Sequence, residues 1–300
     1  MDLKVIKNRK IYLSISAVLV ILAIVMLITK GLNYGIDYTG GAVLQIITDS
    51  KILPGQVQDK VLADPRIKDF DLGSTSVQLF NPGDNKSGVL IKTRFLEDAE
   101  ESAILEVFEE KIGTIDNELL QVQKVGPTIG KELLKNALWS LIIAGALMLI
   151  YISFRFQFKS GVGAVMALAH DVLLVLGFFA LTQKEIDGPF LAAILTLVGY
   201  SINDTIVIFD KIRENMHTRR AKETFFEVVN SSINQSLRRT INTSVTTLVA
   251  IIALLIFGGE SIRNFTLAIT IGIIVGTYSS LFIASPIWAI WESASEKKAK

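Results

Sequence analysis

Six apolar runs, each long enough to cross a bilayer, constrain this chain more than anything else in it. They cover about residues 11–29, 134–154, 161–182, 188–209, 237–257 and 264–290, and a transmembrane helix takes about 20 residues. A chain of this pattern is expected to be an α-helical polytopic membrane protein with six transmembrane helices, because in hydrocarbon each backbone N–H and C=O must find its partner within the segment. The fifth run is the weakest, since its first half carries Arg238, Arg239, Asn242 and several Ser and Thr. The first follows a basic N-terminus and ends in Thr29-Lys30-Gly31 rather than at a small-residue cleavage site. It reads as an uncleaved anchor, not a signal peptide.

Orientation follows from Lys and Arg in the short loops. With the N-terminus cytoplasmic, that side holds Lys4, Lys7, Arg9 and Lys10, then Arg155 and Lys159, then Lys211, Arg213, Arg219, Arg220 and Lys222, and finally Lys297, Lys298 and Lys300. The two short loops on the other side hold Lys184 and Arg263. Both termini are therefore expected in the cytoplasm. The expected division is a cytoplasmic N-terminus and first helix over 1–30, an extracytoplasmic domain over 31–132, a five-helix membrane domain over 133–292 and a cytoplasmic tail over 293–300. Within the membrane domain, 210–236 forms a cytoplasmic loop, read as a charged hairpin or surface helix before the chain re-enters the membrane.

The segment 31–132 has its own order. Residues 42–48 (A-V-L-Q-I-I-T) are strand-like, and 54–63 reads as a short helix with proline in its first turn. Residues 77–80 and 89–95 are strand-like around the turn signal N-P-G-D-N-K-S-G. Residues 97–115 carry apolar side chains at helical spacing, and 119–125 closes as a strand. The β-α-β-β-α-β order is that of an α+β, ferredoxin-like domain. It holds no catalytic constellation and reads as a binding or mechanical module.

Several chemistries find no support. There is no cysteine, hence no disulfide or thiolate metal site. The two histidines, His170 and His217, are too far apart in sequence to suggest a metal pair. The glycines at 126 and 130 are separated by three residues, with Glu132 where a phosphate loop needs a hydroxyl, and Gly161-Val-Gly163 lacks the third glycine of a dinucleotide turn. No cofactor, metal, catalytic residue or nucleic-acid partner is expected.

The informative residues are the polar ones inside apolar runs. Asn203 and Asp204 lie in the fourth run, and a carboxylate at membrane depth costs roughly 2.5–3.5 kcal/mol on insertion scales. Such a residue marks a proton or ion pathway, or else a buried carboxylate hydrogen-bonded for structural reasons. Thr196, Tyr200 and Asp204 fall at i, i+4, i+8, on one helical stripe with Ser201 beside them. Arg239, Asn242, Thr243, Thr246 and Thr247 share a face of the fifth run at similar depth. An Asp204–Arg239 ion pair, made or broken with protonation, would explain both; Arg239 snorkelling to the headgroups is the alternative. His170-Asp171 in the third run reads either as a second titratable site or as a polar pair fixing helix packing. Gly272-Ile-Ile-Val-Gly276 is a small-xxx-small pattern for close helix approach.

At these residues the chain resembles the SecF family, the smaller subunit type of the SecD–SecF complex that assists Sec-dependent protein export. G-I-D-Y-T-G-G, with Gly35, Asp37, Gly40 and Gly41, is similar to the family's G-I-D-F-T-G-G element. V-G-P-T-I-G-K-E-L, with Gly126 and Pro127, is similar to its V-G-P-x-x-G-x-E-L element. A-H-D-V at 169–172, G-Y-S-I-N-D-T-I-V from Gly199 through Ser201, Asn203 and Asp204, and N-Q-S-L-R-R-T at 234–240 resemble its intramembrane motifs. The last departs from the more usual L-S-R-T, which makes Arg239 rather than Arg238 the counterpart of the family's intramembrane arginine. The resemblance implies a half of a resistance–nodulation–division architecture beside SecD. It implies coupling to proton or sodium flow through Asp204, Arg239 and Asp171, with His170 and Asn203 beside them. It also implies association with the SecYEG translocon, YajC and YidC, and a domain that engages the translocating polypeptide. Two other readings stay open: half of a small-molecule or lipid exporter, and a non-transporting scaffold of the translocon.

Overall fold

The computed structural model describes residues 3–73, 75–83, 86–219, 223–259 and 262–298. Arg220, Lys222 and Lys300 of the charge count, the side chains of Lys297 and Lys298, and Asp84 and Asn85 of the turn signal lie outside the described residues. The chain forms two compact units, one of residues 1–33 with 137–300 and one of residues 34–136.

The smaller unit follows the first helix, α1 (Arg9–Thr29), and the two-residue strand β1 (Asn33–Tyr34). It begins with a single turn, α2 (Ile36–Thr39), and the long strand β2 (Gly41–Thr48). Then come a π-helical turn (Gln58–Leu62), α3 (Pro65–Lys68), β3 (Ser76–Phe80), β4 (Ser87–Thr93), α4 (Asp98–Lys111) and β5 (Gln121–Val125). The sheet order is β3-β4-β2-β5, every neighbouring pair antiparallel. Leu44 and Ile46 of β2 and Val89 and Ile91 of β4 alternate onto one face, where they meet Ile104, Val107 and Phe108 of α4. The period of two on the strands and the 3.6-residue stripe on α4 thus converge on one core. The helix expected over 54–63 is present in shorter form: residues 54 and 55 make a turn and helical structure runs over 56–62, π-helical from Gln58, before a second proline opens a further turn. Pro65 stands in the first turn of α3, where its missing N–H leaves no bond unmade. Asp64 caps that turn by accepting from Arg66 N at 2.9 Å.

In the larger unit, α5 (Pro127–Arg155) enters from the smaller unit at residue 137. It is followed by α6 (Phe158–Thr182), β6 (Glu185–Ile186), α7 (Gly188–His217), α8 (Phe225–Phe257), α9 (Arg263–Ser279), a π-helical turn (Ser280–Ala284) and α10 (Ser285–Lys298). Among the described residues six helices are long and apolar enough to cross a membrane, the sixth being α9 continued through the π-turn into α10. The fold is thus mostly helical with a small sheet unit. Helices α6, α7 and α9 form the centre and are the most buried, whereas α1 and α5 expose apolar faces such as Ile11, Ile15 and Val18 and Leu138, Ile142 and Leu147.

Several helices overrun their expected limits: α5 begins at Pro127, α10 continues to Lys298 through part of the expected tail, and α7 and α8 extend into the expected loop. α7 continues through the charged stretch after residue 209, steadied by Arg155 to Asp210 at 3.4 Å and Lys211 to Glu214 at 2.9 Å. α8 starts at Phe225 behind a capping box of Thr224 and Glu227 and runs unbroken for 33 residues. The stretch 210–236 is therefore largely the ends of two helices. The amphipathic stretch expected as a surface helix is the beginning of α8 itself.

Candidate functional site: a buried carboxylate and hydroxyl network

Asp171 stands in the middle of α6 with no exposed surface. Its Oδ2 accepts from Ser201 Oγ of α7 at 2.6 Å and from Ser279 Oγ at the end of α9 at 2.7 Å. Its Oδ1 lies 3.0 Å from Nδ1 of His170. The carboxyl group therefore ties three helices together through the hydroxyls of Ser201 and Ser279 and the neighbouring His170 ring. Close approach of α9 makes this reach possible. A Cβ on Gly276 would stand 3.2 Å from Ser201 Cβ and 3.6 Å from Asp171 Oδ2, so a larger residue would press into the network.

Ser279 and Ser280 are adjacent, yet both face inward. Ser280 Oγ donates to Gly276 O at 2.8 Å and receives from Thr205 Oγ1 at 3.1 Å. The π-helical turn over Ser280–Ala284 follows them, with Pro286 just beyond. Proline cannot donate to the carbonyl four residues back and its ring crowds that carbonyl, so a wider turn before it relieves the conflict.

Asp204, on α7, is 3% exposed and has a sparser environment. Its Oδ2 is 3.5 Å from Ser244 Oγ of α8. That hydroxyl is also 3.0 Å from Thr240 O and has one proton to give, while Thr277 Oγ1 of α9 lies 2.7 Å from it. Asp204 thus sits at the end of a hydroxyl chain running α9–α8–α7. His170 adds a link toward α1. Its ring stacks on Tyr278 with centroids 6.4 Å apart, and Tyr278 Oη donates to Tyr12 O of α1 at 3.0 Å. His170 Nε2 is buried and has no hydrogen-bond partner among the described residues.

The structure gathers Asp171, His170, Ser201 and Asp204 into one polar interior and leaves three other expected residues outside it. Arg239 is exposed and makes no salt bridge with Asp204 among the described residues, although its charge acts on Asp204 at longer range; the expected contact pair is not made in this structure. Asn203 and Gly199 are exposed too. The single stripe expected for Thr196, Tyr200 and Asp204 is divided: Thr196 is exposed, Tyr200 half-buried with its Oη 3.4 Å from Thr247 Oγ1, and Asp204 buried. What remains exposed is a polar strip of Thr196, Gly199 and Asn203 on α7, and another of Arg239, Asn242 and Thr246 on α8, which packs against α7.

The smaller unit holds the remaining motif residues. Gly35 is the N-cap of α2 and Asp37 lies in its first turn. Gly40 ends that turn at φ +76°, and a Cβ there would be 2.7 Å from Pro127 Cα. Gly130 faces the same junction, its Cβ position 2.9 Å from Gly40 N and Tyr38 O. The elements containing Gly40-Gly41 and Gly126-Pro127 are therefore two sides of one backbone-to-backbone contact at the start of α5.

Comparison with known proteins assigns these motifs. A family model described as protein export membrane protein SecD/SecF, C-terminal, matches residues 105–294, and one described as the SecD/SecF GG motif matches residues 25–49. The chain belongs to the SecD/SecF family. A SecF protein translocase subunit of Sebaldella termitidis is 44% identical over 287 residues, covering 96% of this chain and 91% of that one. The SecDF protein translocase subunit of Bacillus subtilis is 39% identical over 298 residues, which is 97% of this chain and 38% of that longer one. The crystal structure of SecDF from Thermus thermophilus, described as a translocon-associated membrane protein, superposes with a TM-score of 0.81 at 36% identity, over 96% of this chain and 38% of that one. A SecDF structure in a super-membrane-facing form gives 0.73 at 34% identity, over 100% and 40%. This chain thus spans about two fifths of the SecDF chains it matches.

Within the SecD/SecF frame, sequence reasoning missed Ser279, Ser280, Thr205 and Ser244 as members of the polar interior. A signal existed for the first two: a Ser-Ser pair within an apolar run, a few residues before a proline.

Proposed function

We propose that this chain is an auxiliary subunit of the Sec protein-export machinery that works beside SecD. In this reading it draws on the proton motive force, or a sodium gradient, to promote late polypeptide translocation and release on the outer face. The protein lies in the bacterial cell membrane with both termini cytoplasmic and residues 34–136 outside. The β3-β4-β2-β5 order, all antiparallel, supports a split-βαβ, ferredoxin-like reading of that outer unit.

The observation that carries the proposal is the pair of carboxylates, Asp171 and Asp204, buried in mid-helix and joined by hydroxyls to α8 and α9. A charge crossing the membrane potential releases about 2.3 kcal/mol per 100 mV. Protonating Asp204 removes its charge from an interior that, among the described residues, offers it the Ser244 hydroxyl at 3.5 Å and the more distant charge of Arg239, and so biases how α7 packs on α8 and α9. The Tyr278–Tyr12 bond supports transmission to α1, which leads directly into the outer unit.

The polar strips of α7 and α8 are costly against lipid, and SecD is the partner we assign to them. Arg239 then acts at that subunit boundary. The SecDF relatives, in which a longer chain contains a match to this one, support the pairing. SecYEG, YajC and YidC remain partners expected from the family.

The test is a pulse-chase of a secreted protein in cells that depend on this chain, comparing wild type with Asp204→Asn. Membrane level and co-purification with SecD are checked in the same cells. Slower export from an intact complex is expected. Unchanged export would make Asp204 a packing residue and favour a scaffold.

A further inference from the structure

The N-terminal residues form a built structure, not a loose tail. Leu3 N donates to Asn234 Oδ1 at 2.7 Å, Asn234 Nδ2 returns a bond to Leu3 O at 2.9 Å, and Ile6 N donates to Asn230 Oδ1 at 3.2 Å. Val5 and Ile6 are buried in the helical core. This fixed backbone and the first turns of α8 enclose an open cavity of about 730 Å³, into which Lys4, Lys7 and Arg9 contribute. Arg9 is held in place: Nη1 donates to Ile6 O at 2.8 Å and the guanidinium lies 4.7 Å over the Phe226 ring.

The cavity's charge is unbalanced. None of the three cations forms an ion pair among the described residues, although Arg155, Lys159 and Lys211 at the neighbouring helix ends all do. Among the described residues the wall has one carboxylate, Glu227, and it is already committed to the cap of α8, accepting from Thr224 N at 2.7 Å and Thr224 Oγ1 at 2.9 Å. Three positive charges facing one space favour an anion there. The level of the cavity narrows the choice of anion. Arg9 is the first residue of α1, and the exposed apolar face of that helix begins two residues later with Ile11 and continues through Ile15 and Val18. A ligand with phosphate at Arg9 and hydrocarbon alongside Ile11 and Ile15 matches both surfaces.

We propose that the cavity formed by residues 4–9 and the start of α8 is a binding site for the headgroup of an anionic phospholipid. The site is separate from the carboxylate network and depends only on the chain's spanning a membrane. Lys4 and Lys7 project from either side of the buried Val5–Ile6 pair and supply the phosphate contact; Arg9 fixes its depth.

The test uses the full-length protein purified in detergent and native mass spectrometry with added dioleoylphosphatidylglycerol or dioleoylphosphatidylcholine. Wild type is compared with Lys4→Gln/Lys7→Gln and with Lys10→Gln, which removes a nearby charge that does not line the cavity. The expected result is preferential phosphatidylglycerol binding that weakens roughly thirtyfold in the double variant and is retained in Lys10→Gln. Equal loss in Lys10→Gln would reduce the effect to general surface charge and overturn the site. A third arm adds millimolar inorganic phosphate. Displacement of the lipid by phosphate at that level would identify a soluble anion as the ligand and overturn the lipid assignment. Unchanged lipid binding in the double variant, with SecD lost on co-purification, would make the surface a protein contact instead. Lys4 and Lys7 are exposed, and a thermal midpoint equal to wild type confirms that the double variant is folded.

Discussion

Ser279 Oγ donates to Asp171 Oδ2 at 2.7 Å, joining the last turn of α9 to the middle of α6. Asp171 keeps Ser201 and His170 if that donor is removed. Ser279→Ala is therefore expected to lower stability by about 1–2 kcal/mol, the cost of taking a donor from a fully buried acceptor tempered by measured values inside membranes. Ser285→Ala removes a hydroxyl equally buried but directed 3.4 Å away at the neutral Ser280 carbonyl. It should cost less. Thermal midpoints of the two purified variants decide the matter, and equal losses would contradict the account based on the carboxylate.

Gly40 has φ +76° and ψ 155°, a region that other residues enter at a cost of about 1–3 kcal/mol. A Cβ would also press on Pro127 Cα. Gly40→Ala should open the contact between α2 and the start of α5 and expose residues 34–136 to protease. Gly126→Ala, in the adjoining motif, meets its nearest neighbour at 4.0 Å and should stay within about 0.5 kcal/mol of wild type. Limited proteolysis of membranes containing each variant tests the contrast.

Local rules made some of this legible and tertiary geometry decided the rest. The six apolar runs and the strand alternation in β2 and β4 are one-dimensional signals, and they located the spans and the sheet. The ends of α7 and α8 were misread because hydropathy falls at Asp210, whereas hydrogen bonding and side-chain pairs carry the helix on to His217. Asp171 and Asp204 stood out because charge inside an apolar run is conspicuous. Ser279 and Ser280 did not, since serine is unremarkable in a helix and their shared inward direction depends on the turn that precedes Pro286. Arg239 is a different case: sequence spacing suggested Asp204 as its partner, and the structure leaves the guanidinium exposed without a salt bridge to that carboxyl among the described residues, although its charge still acts on Asp204.

Asp64 in the smaller unit is nearly buried and its carboxyl is held well below the usual carboxylate range, first by hydrogen bonds from the Arg66 and Lys111 side chains and then by Arg66 N. A carboxyl lowered on folding contributes stability that is present above its unfolded pKa, near 3.8, and is lost as pH falls toward the folded value. Asp116, lowered chiefly by Lys86, acts in the same direction. The stability of residues 34–136, followed by hydrogen exchange in the full chain, should therefore decline below about pH 4. Asp64→Asn should lower stability at pH 7 and flatten that decline. A variant as acid-sensitive as wild type would remove Asp64 from the explanation.

Tyr278 touches both His170 and α1, so it separates two accounts of how a change at the carboxylates would reach the smaller unit. Its Oη donates to Tyr12 O at 3.0 Å and receives from Ser16 Oγ at 3.3 Å, while its ring stacks on His170. Tyr278→Phe keeps the ring and deletes both hydroxyl bonds, at an expected cost of about 0.5–1.5 kcal/mol. If α1 carries the coupling, the variant should assemble with SecD yet export more slowly, because the helix that leads into residues 34–136 no longer follows the movement of α9. Pulse-chase, co-purification and thermal midpoint on the same preparation supply the three readouts. Wild-type export with the expected small loss of stability would exclude the α1 route. Coupling would then have to pass along α5, the other helix that leads into the smaller unit, whose first residues meet Gly40 and Tyr38.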